Sequence, residues 1–149
     1  MDFSQFDFIG ISVRTTNEKG KMGHDIPKLW QQFFSENILE KIPNKLENSI
    51  YSVYTEYESD FTKPYTVVLG CKVANLDKIP EGMVGITVPG GRFTKFTAKG
   101  DLHKGVVFSE WLKIWNTNLN RKYTADFEVY GEKALNPQDA EVDIFIAVE

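Results

Sequence analysis

A chain of 149 residues, 42% hydrophobic and 26% charged with a net charge of −4, reads as one globular domain over residues 1–149 that can bury its own core without disulfides or metals. Its basic residues are scattered, which excludes the electrostatic footprint of direct nucleic-acid binding, and no apolar run nears the roughly 18 residues of a membrane span. The acidic N-terminus (Asp2, Asp7) lacks the basic region of a secretory leader, and the single cysteine, Cys71, fits a reducing cytoplasm and reads as a small core residue.

Phe6 to Val13 alternates as a first strand. Thr15 to Gly23 is polar, carries two glycines and reads as a loop. Asp25 is an N-cap candidate, with Pro27 tolerated in the first turn, for a helix running to about Leu39. Ile26, Leu29, Trp30, Phe33 and Phe34 form its apolar stripe. Strands are expected at Ser49–Glu56 and Tyr65–Val73, on either side of the turn Glu58–Asp60. After the connection Leu76–Gly82 the order recurs. Met83–Val88 and Arg92–Ala98 read as strands flanking Pro89-Gly90-Gly91, a hairpin turn or a bulge. A loop at Gly100–Gly105 precedes a second helix with Phe108, Trp111, Leu112, Trp115 and Leu119 on one stripe. Strands at Tyr123–Tyr130 and Glu141–Val148 close the chain around the turn Leu135–Gln138.

The pattern is strand, helix, strand, strand, written twice, as pseudo-repeats of roughly 1–75 and 76–149. Tyr51 and Tyr123, like Glu56 and Glu128, lie 72 positions apart. A duplication of this size predicts an α+β fold: a mainly antiparallel sheet of about six to eight strands, two helices on one face, and a pocket where the pseudo-twofold halves meet. On the last strand Val142, Ile144, Ile146 and Val148 share one face, and Asp143 and Phe145 the other.

Catalytic signatures are scarce. His24 and His103 sit in glycine-rich loops without metal-ligand spacing, Pro89-Gly90-Gly91 lacks the Lys-Ser/Thr of a phosphate loop, and no serine occupies a nucleophile elbow. No cofactor or metal is expected. What stands out is an aromatic surplus (Trp30, Tyr51, Tyr54, Tyr57, Trp111, Trp115, Tyr130, Phe145) together with the strand Tyr123–Tyr130. Its alternation puts Asp126, Glu128 and Tyr130 on one face and Phe127 and Val129 on the other. Glu128 is either solvated surface or the acid of an aromatic cavity. A cavity of that kind suits a hydrophobic cation, with each ring face adding about 0.5–2 kcal/mol.

The segments Ile50–Asp60, Tyr65–Cys71, Ile86–Phe93, Phe96–Gly100, Phe127–Tyr130 and Val142–Ile146, in this order over nearly the whole chain, resemble the AraC-type effector-binding domains, also called gyrase-inhibitor-like domains. The resemblance implies a duplicated strand-helix-strand-strand fold with a pocket at the junction of its halves, and ligands that are hydrophobic, often cationic, small molecules. It assigns Glu128 the role of the pocket acid, with Tyr130 and Phe145 as wall residues. One departure is Ile146-Ala147-Val148, where relatives usually carry a proline in the middle position. In transcriptional regulators this module is joined to a DNA-binding region; here the expectation is a stand-alone member.

The leading expectation is therefore a cytoplasmic module that binds amphipathic, cationic organic molecules. Glu128 neutralises the charge, Tyr130, Trp111, Trp115 and Phe145 offer ring faces, and Tyr54, Tyr51 and Glu56 complete the candidate set. A second reading is a hydrolase of small strained electrophiles with Glu128 as general acid/base. A third is an inhibitor-type module docking on a partner protein such as gyrase.

Overall fold

In the computed structural model, which describes residues 2–18 and 22–149, eight antiparallel strands and three helices form an α+β fold. The strands are β1 (Asp2–Phe3), β2 (Phe6–Thr15), β3 (Ile50–Thr55), β4 (Tyr65–Val73), β5 (Val84–Val88), β6 (Gly91–Gly100), β7 (Ala125–Tyr130) and β8 (Ala140–Val148). The helices are α1 (Met22–Ser35), α2 (Ile38–Lys41) and α3 (Val106–Trp115). None of the described helices is long and apolar enough to cross a membrane.

One sheet contains all eight strands in the order β1-β6-β8-β7-β3-β4-β2-β5. The order is symmetric about the β7–β3 pair. Going outward, β8 answers β4 and β6 answers β2, so the units β2-α1-β3-β4 and β6-α3-β7-β8 lie head to head. The short strands at the rims are exchanged: β1, which leads the first unit, pairs with β6, and β5, which leads the second, pairs with β2.

That exchange forces the sheet to curl. β1 and β2 are six strand positions apart, roughly 29 Å across a flat sheet. Yet only Ser4 and Gln5 join them, so the Cα atoms of Phe3 and Phe6 can be no more than about 11 Å apart. The β5–β6 link, Pro89 and Gly90, meets the same restriction. The two links cross in contact: a Cβ on Gly90 would lie 2.7 Å from both Gln5 N and Phe3 O. Pro89-Gly90-Gly91 is therefore neither a hairpin nor a bulge but a passage from one rim of the sheet to the other. Within the curve, paired Gly10 and Gly70 let β2 and β4 approach closely, since a Cβ on either would meet the opposite carbonyl oxygen at 2.2 and 2.0 Å.

Curling makes two cores. The convex one is covered by the helices: Leu29, Phe33, Ile38, Trp111 and Ile114 pack on Ile9, Ile11, Val67, Leu69, Ile144 and Ile146. The concave one takes no residue from any described helix and is filled by rings, with Phe8, Tyr51, Phe93, Phe127 and Phe145 buried together. Phe3 closes it, edge-on to Phe93, Phe127 and Phe145 at 5.4, 5.7 and 4.9 Å between centroids.

Local expectations shift in a few places. α1 already runs from Met22, so Asp25 lies in its first turn rather than at its N-cap. The helix ends at Ser35, and Asn37, at φ 52°, separates it from α2. Of the expected Thr15–Gly23 loop, Thr15 belongs to β2 and Met22 and Gly23 to α1, and residues 19–21 lie outside the described set. α3 stops at Trp115, so Leu119 is not on it, and Phe108 and Leu112 are largely exposed; the inward side chains are Trp111 and Ile114. Tyr123 has φ 56° and precedes β7, which starts at Ala125. Cys71 is buried as expected, and burial pushes its thiol up to about 11.

Candidate ligand-binding site

α1 lies over β2 and β4, α3 lies over β6, and the central pair β3–β7 runs between them. A cavity of about 350 Å³ occupies that gap. Ile26, Pro27 and Trp30 of α1 form one wall and Val107, Phe108 and Trp111 of α3 the other. Tyr54 of β3 and Glu128 and Tyr130 of β7 form the floor. Pro27 lacks the N–H that would bond the carbonyl of Gly23 one turn back, and Gly23 beside it also lines the cavity.

Glu128 is only 2% exposed. Its Oε2 accepts hydrogen bonds from the Tyr54 hydroxyl (2.7 Å) and from Trp111 Nε1 (2.6 Å), and its Oε1 accepts one from the Tyr130 hydroxyl (2.7 Å). All three donors are neutral, and Glu128 has no ion-pair partner among the described residues. Burial pushes its carboxyl above the usual range, and the three hydrogen bonds pull it part of the way back. Burial and the neighbouring carboxylate together push Tyr54 and Tyr130 well above the ordinary phenol value, so both remain donors. The rings are braced edge-on: Trp30 against Tyr130 at 4.8 Å and Tyr54 against Trp111 at 5.0 Å between centroids. The result is a ring-lined hollow whose floor carries one buried acid with no opposite charge beside it among the described residues.

Two residues earlier on the same face, Asp126 has a different environment. It is fully buried, and its Oδ2 accepts from Arg121 Nη2 (2.8 Å) and the Tyr57 hydroxyl (2.5 Å), its Oδ1 from the Ala147 N–H (2.8 Å). Burial pushes this carboxyl up as well, but here the Arg121 guanidinium is the first of the groups opposing it. Arg121 itself lies over the Tyr123 ring, 4.4 Å from its centroid. This pair ties the loop before β7 to β8 and reads as a structural element.

Residues 3–148 match the profile of the family described as integron-associated effector binding protein. The chain belongs to that effector-binding family. Among solved structures, this family member is similar to the integron cassette protein VCH_CASS2 from the mobile metagenome of Vibrio cholerae, with 33% identity, all of this chain and 94% of that one covered, and a TM-score of 0.77. It also shares its fold with SAV2435, solved with bound tetraphenylphosphonium, at 16% identity, a TM-score of 0.80 and coverage of 100% and 92%. A Bacillus subtilis (strain 168) relative, YobU, described as a candidate transcriptional regulator, is 29% identical over 147 residues, covering 95% of this chain and 91% of that protein.

Of the residues expected at the site of this effector-binding protein, Glu128, Tyr130, Trp111 and Tyr54 come together around the large cavity. Trp115 lines a smaller, adjoining hollow instead. Three do not belong. Phe145 pairs across the strands with Phe127, so its ring points into the concave core, away from Glu128. Tyr51 is odd where Tyr54 is even on β3, falls on that same concave side, and donates to Glu47 (3.0 Å). Glu56 lies just past the end of β3 with φ 50°, and its side chain is exposed. His24 and His103 do not line the cavity either. The wall residues outside the candidate set are Ile26, Pro27, Trp30, Val107 and Phe108; of these, Trp30 belongs to the aromatic surplus read from the sequence, and its helix stripe also carries Ile26.

Proposed function

We propose that this effector-binding protein takes up hydrophobic organic cations between α1 and α3, with Glu128 as the counter-charge. The carrying observation is the desolvated Glu128 carboxylate, held by three neutral donors on the floor of an aromatic cavity. A buried charge without an opposite partner is costly, and a ligand that supplies the positive charge removes that cost. Trp30, Trp111, Tyr54 and Tyr130 supply ring faces, each worth about 0.5–2 kcal/mol toward a cation. A volume of about 350 Å³ is that of a small-molecule pocket.

The reading is supported by the SAV2435 structure, whose bound tetraphenylphosphonium is a bulky aromatic cation of this class. Few polar groups fix the ligand's orientation, so discrimination is loose and affinity lies near the micromolar range, about −8 kcal/mol. Sensing or sequestering such compounds is the corresponding role.

Tetraphenylphosphonium titrated against tryptophan fluorescence and by calorimetry tests the reading, since Trp30 and Trp111 both line the cavity. Saturable 1:1 binding that quenches fluorescence is the expected result. No saturation by this or any other aromatic cation up to about 1 mM, a threshold of roughly −4 kcal/mol, overturns it.

A further inference from the structure

Three hydrogens can be donated by the polar side chains around Glu128, and Glu128 takes all three. Tyr54 and Tyr130 each carry a single O–H and Trp111 a single indole N–H, and these lie 2.7, 2.7 and 2.6 Å from its carboxylate oxygens. Both phenols are held well above their ordinary value and stay protonated. None of the three has a donor left to offer a ligand.

Acceptor capacity remains. A carboxylate offers about four lone-pair positions. Oε2 accepts from Tyr54 and Trp111, whereas Oε1 accepts from Tyr130 alone among the described residues. Oε1 thus keeps one position open, and the hydroxyl oxygens of Tyr54 and Tyr130 can still accept as well. The stem of Glu128 rises from β7 between its cross-strand partners, Ser52 on β3 and Ile144 on β8. Glu128 also lines the cavity, so the carboxylate at the tip is the end that meets it. The unused hydrogen-bonding capacity of these four side chains is therefore that of an acceptor.

Resting on the proposed cation site, we propose that its preferred ligand carries the positive charge on an N–H, as in a protonated ring nitrogen or tertiary amine, and donates that hydrogen to Glu128 Oε1. A quaternary ammonium or a phosphonium of the same size supplies the charge but covers Oε1 without filling its open position. Hydrogen bonds between ionised partners are the stronger ones, and a buried acceptor left short of a partner is costly. The floor of the cavity thereby separates cations of equal charge and similar shape by whether they bring a hydrogen to it.

The test compares 4-(dimethylamino)quinoline, protonated on its ring nitrogen at about pH 7.5, with 4-(dimethylamino)-1-methylquinolinium, the same cation with N–CH₃ in place of N–H. Calorimetry on the wild-type protein should give the N–H compound a Kd lower by roughly tenfold, as for one bond to a charged acceptor. The added methyl brings apolar area, so burial alone would push the order the other way. In Glu128→Gln the amide nitrogen takes the Oε1 place and presents hydrogens of its own. The preference should then disappear, although both cations have lost the same charge attraction. The 1-ethyl analogue separates bonding from bulk, whether or not that variant folds. It should bind wild type like the 1-methyl compound, and a further tenfold drop would show that size alone sets the order and refute the proposal. Equal affinity of the first two cations for wild type, or a preference that persists in folded Glu128→Gln, refutes it while the cation site stands. If none of the three saturates wild type up to about 1 mM, the cation site itself is wrong and this inference falls with it.

Discussion

Replacing Glu128 by Gln isolates its charge with little else disturbed. Trp111 Nε1 can only donate, so the amide oxygen must take the Oε2 position, where it also accepts from Tyr54. The amide nitrogen then falls at Oε1 and donates to the Tyr130 hydroxyl, which can turn to accept. All three polar contacts survive and only the charge is lost. For a cation about 5 Å away at an effective dielectric of about 20, that charge is worth roughly 3 kcal/mol. Delocalisation over the ligand's rings lowers this toward about 2 kcal/mol, so the expected loss is about 30- to 150-fold in Kd. Calorimetry at pH 8 with N-methylquinolinium and its neutral isostere 1-methylnaphthalene reads the effect as a ratio, cancelling any change in fit. A ratio that moves by less than about threefold refutes the electrostatic role. Stability should move the other way. A carboxyl raised by burial contributes stability that is fully present below its unfolded value of 4.5 and lost as pH rises through the folded one. Glu128→Gln should therefore melt above wild type at pH 8, and the gap should close at pH 4.

Tyr130→Phe removes the hydrogen bond to Glu128 Oε1, which favours the charged form, so the carboxyl rises further and the pH midpoint of cation binding moves upward; an unmoved midpoint in a titration series refutes the coupling. Tyr51→Phe, on the concave side, should cost about 0.5–1.5 kcal/mol in urea denaturation through the lost bond to Glu47 and leave the tetraphenylphosphonium Kd unchanged; a weakened Kd would return Tyr51 to the site. Arg121→Ala strands Asp126 as a buried unpaired charge and should cost about 3–5 kcal/mol, with much of that recovered on adding Asp126→Leu; a loss below about 1 kcal/mol would mean that the pair is not structural.

Strands and helices were legible because their apolar periods are local. Alternation in Tyr65–Val73 and Glu141–Val148, and the Leu29, Trp30, Phe33 stripe, need no knowledge of the remainder of the chain. β1 was missed because two residues cannot show a period. The errors at the site share one cause. Period two tells which side chains face together, but not which of the two faces meets the helices. In most two-layer folds the face without helices is wet, and a buried aromatic then belongs with the helices. Here the two-residue links Ser4–Gln5 and Pro89–Gly90 curl the sheet and dry its second face, which is where Tyr51 and Phe145 lie. Cross-strand register, Phe127 opposite Phe145, decides the matter, and register is not written in either strand alone. Glu56 failed for a related reason: the 72-residue spacing carried a strand position across to a residue that has already left the strand at φ 50°.

Asp126 and Glu128 show how one strand separates a structural acid from a candidate binding acid. They share a face, both are buried, and burial pushes both carboxyls up. The difference is one arginine. Arg121, arriving from the loop before β7, reaches Asp126 at 2.8 Å, while Glu128 receives only hydroxyl and indole donors. Those donors stabilise the negative charge without cancelling it, so an incoming cation still finds an attractive field on the cavity floor. Had Glu128 been paired instead, a ligand would have to displace the partner and would gain little. Leaving the acid unpaired lowers the stability of the empty protein, and the folded state tolerates this because the curled sheet buries two separate cores. Stability and cation affinity are thus set against each other at one side chain, which is why Glu128→Gln should raise the first while lowering the second.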